Sequence, residues 1–179
     1  MKLITGLMTT ALMATVSLCG GEKLYDNLAS TPALLKEWGG SGMAQLKPDG
    51  GPDGKYAVTI LSRNPKLSKM IILNLPAEKL KGRKVKFSAK VKAEYVTGAK
   101  NPVCGVKFMV NYVTSAPKNN QGWPEGASVG AHRRGSYDWT TLQTVVTFPE
   151  DTVKVSFYMG LQNVTGIVSF SDIDIEVVK

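Results

Sequence analysis

Apolar and polar residues alternate with a period of two along most of the chain beyond residue 40. In KVKFSAKVKAEYV (84–96), Val85, Phe87, Ala89, Val91 and Ala93 share one parity, and Lys84, Lys86, Lys90 and Lys92 share the other. In VKVSFYMGLQ (153–162), Val153, Val155, Phe157, Met159 and Leu161 alternate with Lys154, Ser156, Tyr158, Gly160 and Gln162. Successive side chains of a strand point to opposite faces, so this spacing predicts strands with one face in a core. The pattern predicts strands over 43–47, 56–61, 69–75, 84–96, 103–114, 141–148, 153–161 and 167–178. The clusters KPDGGPDGK, LKGRK, VTGAKNP, FPEDT and NVTG supply turns between them. Only PALLKEW (32–38) and PAEKLK (76–81) have room for a helical turn. Strands at this spacing, with no helices to cover a parallel sheet, predict an all-β chain. The expected form is an antiparallel β-sandwich of the jelly-roll kind with about eight to ten strands.

The last strand carries a break in parity. Val168 and Phe170 fall on one parity, and Ile173, Ile175 and Val177 on the other. A one-residue shift turns every following side chain to the opposite face, so a bulge is expected at Ser171-Asp172.

The N-terminus has a different pattern. Met1-Lys2 precedes an apolar run over residues 3–18, followed by Cys19-Gly20-Gly21, which reads as a signal peptide over 1–21. The run is short for a membrane span and is interrupted by threonines, so no span is expected. Val16-Ser17-Leu18-Cys19 is similar to a bacterial lipobox, with Leu18 where that motif takes a small residue. Two readings stay open: a leader ending before Cys19, which becomes a lipid anchor, or ordinary cleavage at Cys19 or Gly21. The domain then occupies 22–179, and the expected location is secreted, periplasmic or at a bacterial cell surface. With Cys19 lost or blocked, Cys104 has no partner for a disulfide, and its apolar context, VCGVKFMV, reads as a packed thiol. At 179 residues the chain suits one domain.

Charge refines this picture only slightly. Twenty-two Lys and Arg against 14 Asp and Glu give a net charge of +8. The four-lysine face of 84–92 reads as a solvated face or a charge-guarded edge strand, with attraction of acidic polymers as the other reading. Export and the lack of any recognisable motif argue against nucleic acid.

Chemistry is sparse. One histidine, His132, leaves no His-based metal cluster, and no Gly-x-Ser-x-Gly elbow, phosphate-binding loop or Cys–His pair is present. Most acidic residues fall in turns, without sign of a paired carboxylate site. The chain is therefore read as not an enzyme. The segment 115–137 is long and polar, with Trp123, His132 and Arg133, and residues 127–132 within it have room for a short strand. Trp123, between Gly122 and Pro124, either stacks on a ligand or anchors the segment.

From Asp53 onwards the order of motifs resembles the carbohydrate-binding modules of the family 4/9/22 type, which are galactose-binding-domain-like jelly rolls. The matching pieces are DGKYAV (53–58), LKGRKV (80–85) leading to FSAKVKA (87–93), YDWTTL (137–142), VKVSFY (153–158) and FSDI (170–173), about two-thirds of the chain. The resemblance implies a polysaccharide partner held on the concave sheet face, with a tyrosine and an amide or carboxylate on the strand of Tyr158 and Gln162. It implies Asp53 and Asp172 as the positions matching a structural calcium, a cation that takes carboxylate and carbonyl oxygens in flexible number. It implies a packing role for Trp139; Trp38 reads either way. One departure is Ser68-Lys69-Met70-Ile71-Ile72-Leu73, where related modules often carry an aromatic.

Tyr158 and Gln162 stand four residues apart on the outer parity with Gly160 between them. That arrangement offers an aromatic plane for sugar C–H groups, an amide for hydroxyls, and room between. Asn111 joins them if its strand neighbours theirs, and His132 and Arg133 add polar groups. The expectation is a monomeric, exported, non-catalytic polysaccharide-binding domain, with an acidic glycan as the second-order expectation from the lysines. Two alternatives remain. One is a surface β-sandwich for protein contacts; the other is a jelly-roll polysaccharide lyase using His132, Arg133, Tyr158 and Gln162.

Overall fold

The computed structural model describes residues 21–115, 121–122 and 133–178. The leader with Cys19, the residues 127–132 suggested as a strand, Trp123 and His132 lie outside the described residues.

The strands are β1 (Lys23–Tyr25), β2 (Ala44–Lys47), β3 (Ala57–Ser62), β4 (Ser68–Leu75), β5 (Lys84–Val96), β6 (Gly105–Thr114), β7 (Gln121–Gly122), β8 (Gly135–Thr147), β9 (Thr152–Gln162) and β10 (Gly166–Val177). They form two antiparallel sheets. One has the order β2-β3-β10-β5-β8, with β1 also pairing β10, and the other has the order β4-β9-β6-β7. This is the all-β sandwich that the alternation predicts. The strands β1 and β7, three and two residues long, are too short to show a period in sequence.

The inner parities of both sheets meet in one core. Phe157 of β9 is its centre: Phe108 of β6 stands edge-on to it at 5.1 Å, Phe87 of β5 reaches it from the other sheet at 5.2 Å, and Trp38 tilts over it at 5.8 Å. Trp38 is 2% exposed, which settles its role as packing. It follows the helix α1 (Pro32–Lys36), where the Thr31 hydroxyl accepts from Leu34 N at 3.2 Å as an N-cap. Leu35 and Trp38, three residues apart, both turn inward.

Trp139 behaves differently. It is half-buried within β8, where the register between β5 and β8 slips between Val91↔Thr140 and Ala93↔Tyr137, and it lies outside the core cluster. The lysine-bearing strand β5 is flanked by β10 and β8, so it is an interior strand rather than an edge. Its lysines are solvated above the sheet and meet acids: Lys86 pairs with Glu176 of β10, and Lys92 with Asp138 of β8 at 3.6 Å.

The bulge in β10 is where the parity placed it. Ser171 pairs with Lys90 and Asp174 with Ser88, so three steps along β10 match two along β5. Asp172 absorbs the extra residue with φ of 47°. Val168 and Phe170 before it and Ile173 and Ile175 after it are all fully buried. The N-terminal segment is tied to this bulge through Tyr56, whose hydroxyl donates to Leu28 O (3.0 Å) and accepts from Ile173 N (3.2 Å).

Candidate functional site

The outer face of the four-stranded sheet is built in cross-strand rows. Along β4–β9–β6 these are Ser68–Gln162–Gly105, Met70–Gly160–Lys107, Ile72–Tyr158–Met109 and Asn74–Ser156–Asn111. The sheet therefore brings Tyr158, Gln162 and Asn111 onto one face. Tyr158 and Gln162 stand about 13 Å apart along β9, at roughly 3.3 Å per residue.

Exposure divides this face. Tyr158, Gln162, Met70 and Ile72 are partly exposed, and Ser68, Asn74 and Lys154 are open. On β6, by contrast, Lys107, Met109 and Asn111 are buried, at 3%, 8% and 6% exposure. The accessible strip thus runs over β4 and β9, and Asn111 forms part of its buried flank. Ser156 is fixed beneath the strip, donating to Asn74 Oδ1 at 2.8 Å.

Gly160 makes the notch between Tyr158 and Gln162. Its φ is +143°, and a Cβ there would stand 2.2 Å from Lys69 O and 2.8 Å from Met70 Cα. Only glycine allows β4 to approach this closely.

Arg133 lies at the Gln162 end of the face. Its carbonyl accepts from Val106 N at 3.0 Å and its Nη1 donates to Val103 O at 2.5 Å. Gly105 has Gln162 as its β9 partner, and its α-carbon faces the Arg133 backbone so closely that a Cβ would meet Arg133 O at 2.2 Å. Arg133 and Gln162 therefore flank the start of β6. Sequence reading missed Met70 and Ile72 as members of the strip. The outer parity of β4 contained the signal, but only the register with β9 shows that they adjoin Gly160 and Tyr158.

The corner that the resemblance assigns to calcium has another occupant. The Lys55 ammonium lies 3.1 Å from both Asp172 oxygens. Asp53 is exposed, two residues before Lys55, with φ of 54°. Ser171 Oγ beside it is buried without a hydrogen-bond partner, beneath Gly51, whose Cβ would come within 2.8 Å of it. Among the described residues no three His, Cys, Asp or Glu side chains converge. One carboxylate already neutralised by an ammonium does not fit a divalent ion that takes six to eight oxygens.

This two-sheet fold is similar to that of solved family 22 carbohydrate-binding modules. Solved structures with this fold match over most of the chain. The isolated CBM22-1 xylan-binding domain of Paenibacillus barcinonensis Xyn10C aligns with a TM-score of 0.57 at 14% identity, covering 91% of this chain and 99% of that one. The tandem CBM22-1–CBM22-2 domain of the same protein aligns with a TM-score of 0.60 at 15% identity, covering 91% of this chain and 48% of that one. The CBM22-1–GH10 modules of Clostridium thermocellum xylanase 10B, complexed with xylohexaose, give 0.60 at 15% identity, covering 89% and 29%. The chain thus spans under a third of the length of one of these structures and about half of another. At the level of sequence, no family model and no curated protein matches.

Proposed function

We propose that the chain is an exported, non-catalytic polysaccharide-binding domain that holds a glycan along the outer strip of β4 and β9. Tyr158 covers the C–H face of one sugar ring, Met70 and Ile72 extend the apolar floor, and the Gln162 amide meets hydroxyls beyond the Gly160 notch. The observation that carries this reading is the row Ile72–Tyr158–Met109, where a partly exposed tyrosine sits between two apolar side chains. A buried aromatic packs on all sides, whereas this ring keeps a surface to offer on a rigid strand. Apolar residues 3–18 support export, and the xylan-binding function of the similar isolated domain makes xylan the first glycan to try.

Affinity electrophoresis in gels containing xylan, cellulose derivatives, mannan and acidic glycans tests it. Retardation by at least one polymer is expected, and Tyr158→Ala should weaken it by about tenfold or more, equivalent to roughly 1.4 kcal/mol. No retardation on any glycan would sink the proposal, and so would a Tyr158→Ala protein that is fully retarded.

A further inference from the structure

The glycan strip ends at a hollow that has its own chemistry. Beyond Gln162 the chain turns at Asn163, with φ of 53°, and the Ser68 hydroxyl donates to Asn163 Oδ1 at 3.2 Å. This turn borders a cavity of about 480 Å³ whose wall includes Lys66, Lys100, Asn101 and Cys104. A second hollow of about 210 Å³ shares Ala99, Asn101 and Cys104 with it and adds Arg133 and Arg134. Four cations therefore converge on two joined hollows, and among the described residues no Asp or Glu lines either one.

Elsewhere the surface is mixed, with some cations paired and others, such as Lys36, Lys47 and Lys84, in no ion pair among the described residues. Lys23, Lys55, Lys81, Arg83, Lys86 and Lys92 each face a carboxylate. Lys66, Lys100 and Arg134 are exposed and form no ion pair among the described residues. Asn101 accepts from Val103 N through Oδ1 at 3.1 Å, which leaves its N–H donors unspent. Cations gathered in a concave wall focus a positive field into the hollow. Arginine and lysine heads there offer charge-assisted hydrogen bonds to oxyanions, and Asn101 can add a neutral donor.

We infer that this hollow is a subsite for an anionic substituent of the bound glycan, a uronate carboxylate or a sulfate ester. The inference rests on the glycan strip proposed above, because a chain lying along β9 past Gln162 arrives at Asn163 and the mouth of the hollow. It moves the site of acid recognition away from the lysines of β5, which lie on the other sheet and partly spend their charge on Glu176 and Asp138.

The test uses the full chain in gels containing a glucuronoxylan, the same polymer with its carboxylates reduced to alcohols, and a sulfated xylan. The wild type should bind at least one acidic polymer about tenfold more tightly than the reduced one. The combined variant Lys66→Gln, Lys100→Gln, Arg134→Gln should lose that preference and keep its retention on the reduced polymer. A control with the same loss of charge elsewhere, Lys36→Gln, Lys47→Gln, Lys84→Gln, should keep the preference. Preference for glucuronoxylan identifies the uronate as the ligand, and preference confined to the sulfated polymer identifies the sulfate. Equal binding to acidic and reduced polymers overturns the subsite while leaving the strip standing, as does a control that loses as much as the hollow variant. Acid-selective binding that survives Tyr158→Ala keeps the hollow and removes the strip.

Discussion

The Lys55 ammonium straddles the carboxylate of Asp172, 3.1 Å from each oxygen, across 117 residues of sequence. The pair joins the turn before β3 to the bulge of β10 and supplies a fixed positive charge at the corner where the resemblance expects a metal. Lys55 is half exposed, so the pair itself is worth at most about 1 kcal/mol. Excess calcium or a chelator should leave the thermal midpoint of the wild type unchanged, since a ligand that binds only the folded state would raise it. A midpoint that rises with calcium would show that a cation other than Lys55 holds this corner.

Tyr56 makes stability depend on alkaline pH. Burial pushes its hydroxyl pKa well up, the hydrogen bond from Ile173 N opposes this, and Asp172, Asp174 and Asp26 add to the rise. A group whose folded pKa lies above its unfolded value contributes fully below the unfolded value and loses that contribution as pH rises towards the folded one. The thermal midpoint should therefore fall once pH passes about 10, the ordinary tyrosine value. Tyr56→Phe should make that fall shallower without abolishing it, because burial also raises the Tyr137 pKa. At neutral pH the same variant leaves Ile173 N and Leu28 O without their partner and should cost about 1–3 kcal/mol. Midpoints measured across the pH range check both statements, and an unchanged alkaline slope in Tyr56→Phe contradicts the first.

Gly160 links stability to binding. Its φ of +143° is a glycine conformation, and any Cβ collides with the β4 backbone at Lys69 and Met70. Gly160→Ala should destabilise the domain by about 3 kcal/mol or more, read by chemical denaturation. Because the displaced strand carries Met70 and Ile72, the surviving folded protein should also bind glycan more weakly. Full stability in Gly160→Ala would mean that β4 lies farther from β9 than described.

The faces of the sheets were legible in the sequence, and their neighbours were not. The parity of Val153–Leu161 set Phe157 inward and Tyr158 outward, and the parity break at Ser171 located the bulge. Period two says which way a side chain points but not which strand lies beside it. Hence the lysines of β5 left a solvated face and an edge strand both open, and the flanking strands β10 and β8 leave only the solvated face. Hence too Ile72 and Met109 joined Tyr158 only once the register was known. Nor does alternation show what is covered: Lys107 and Asn111 have outer parity and are buried. The tryptophans differ in where they pack. Trp38 takes the core position through a three-residue spacing from Leu35, whereas Trp139 is partly buried beside a register slip, outside the core cluster.

The pairing of β1 with β10 fixes how the domain can be presented. Val177 N donates to Glu22 O at 2.8 Å, so the two ends of the described chain lie side by side. Strand β10 runs twelve residues from there back to Gly166, about 40 Å away, near the turn at Asn163. A tether attached at either end would therefore pull from the same pole. The basic hollow, at the opposite pole, would be held outward like the head of a pin.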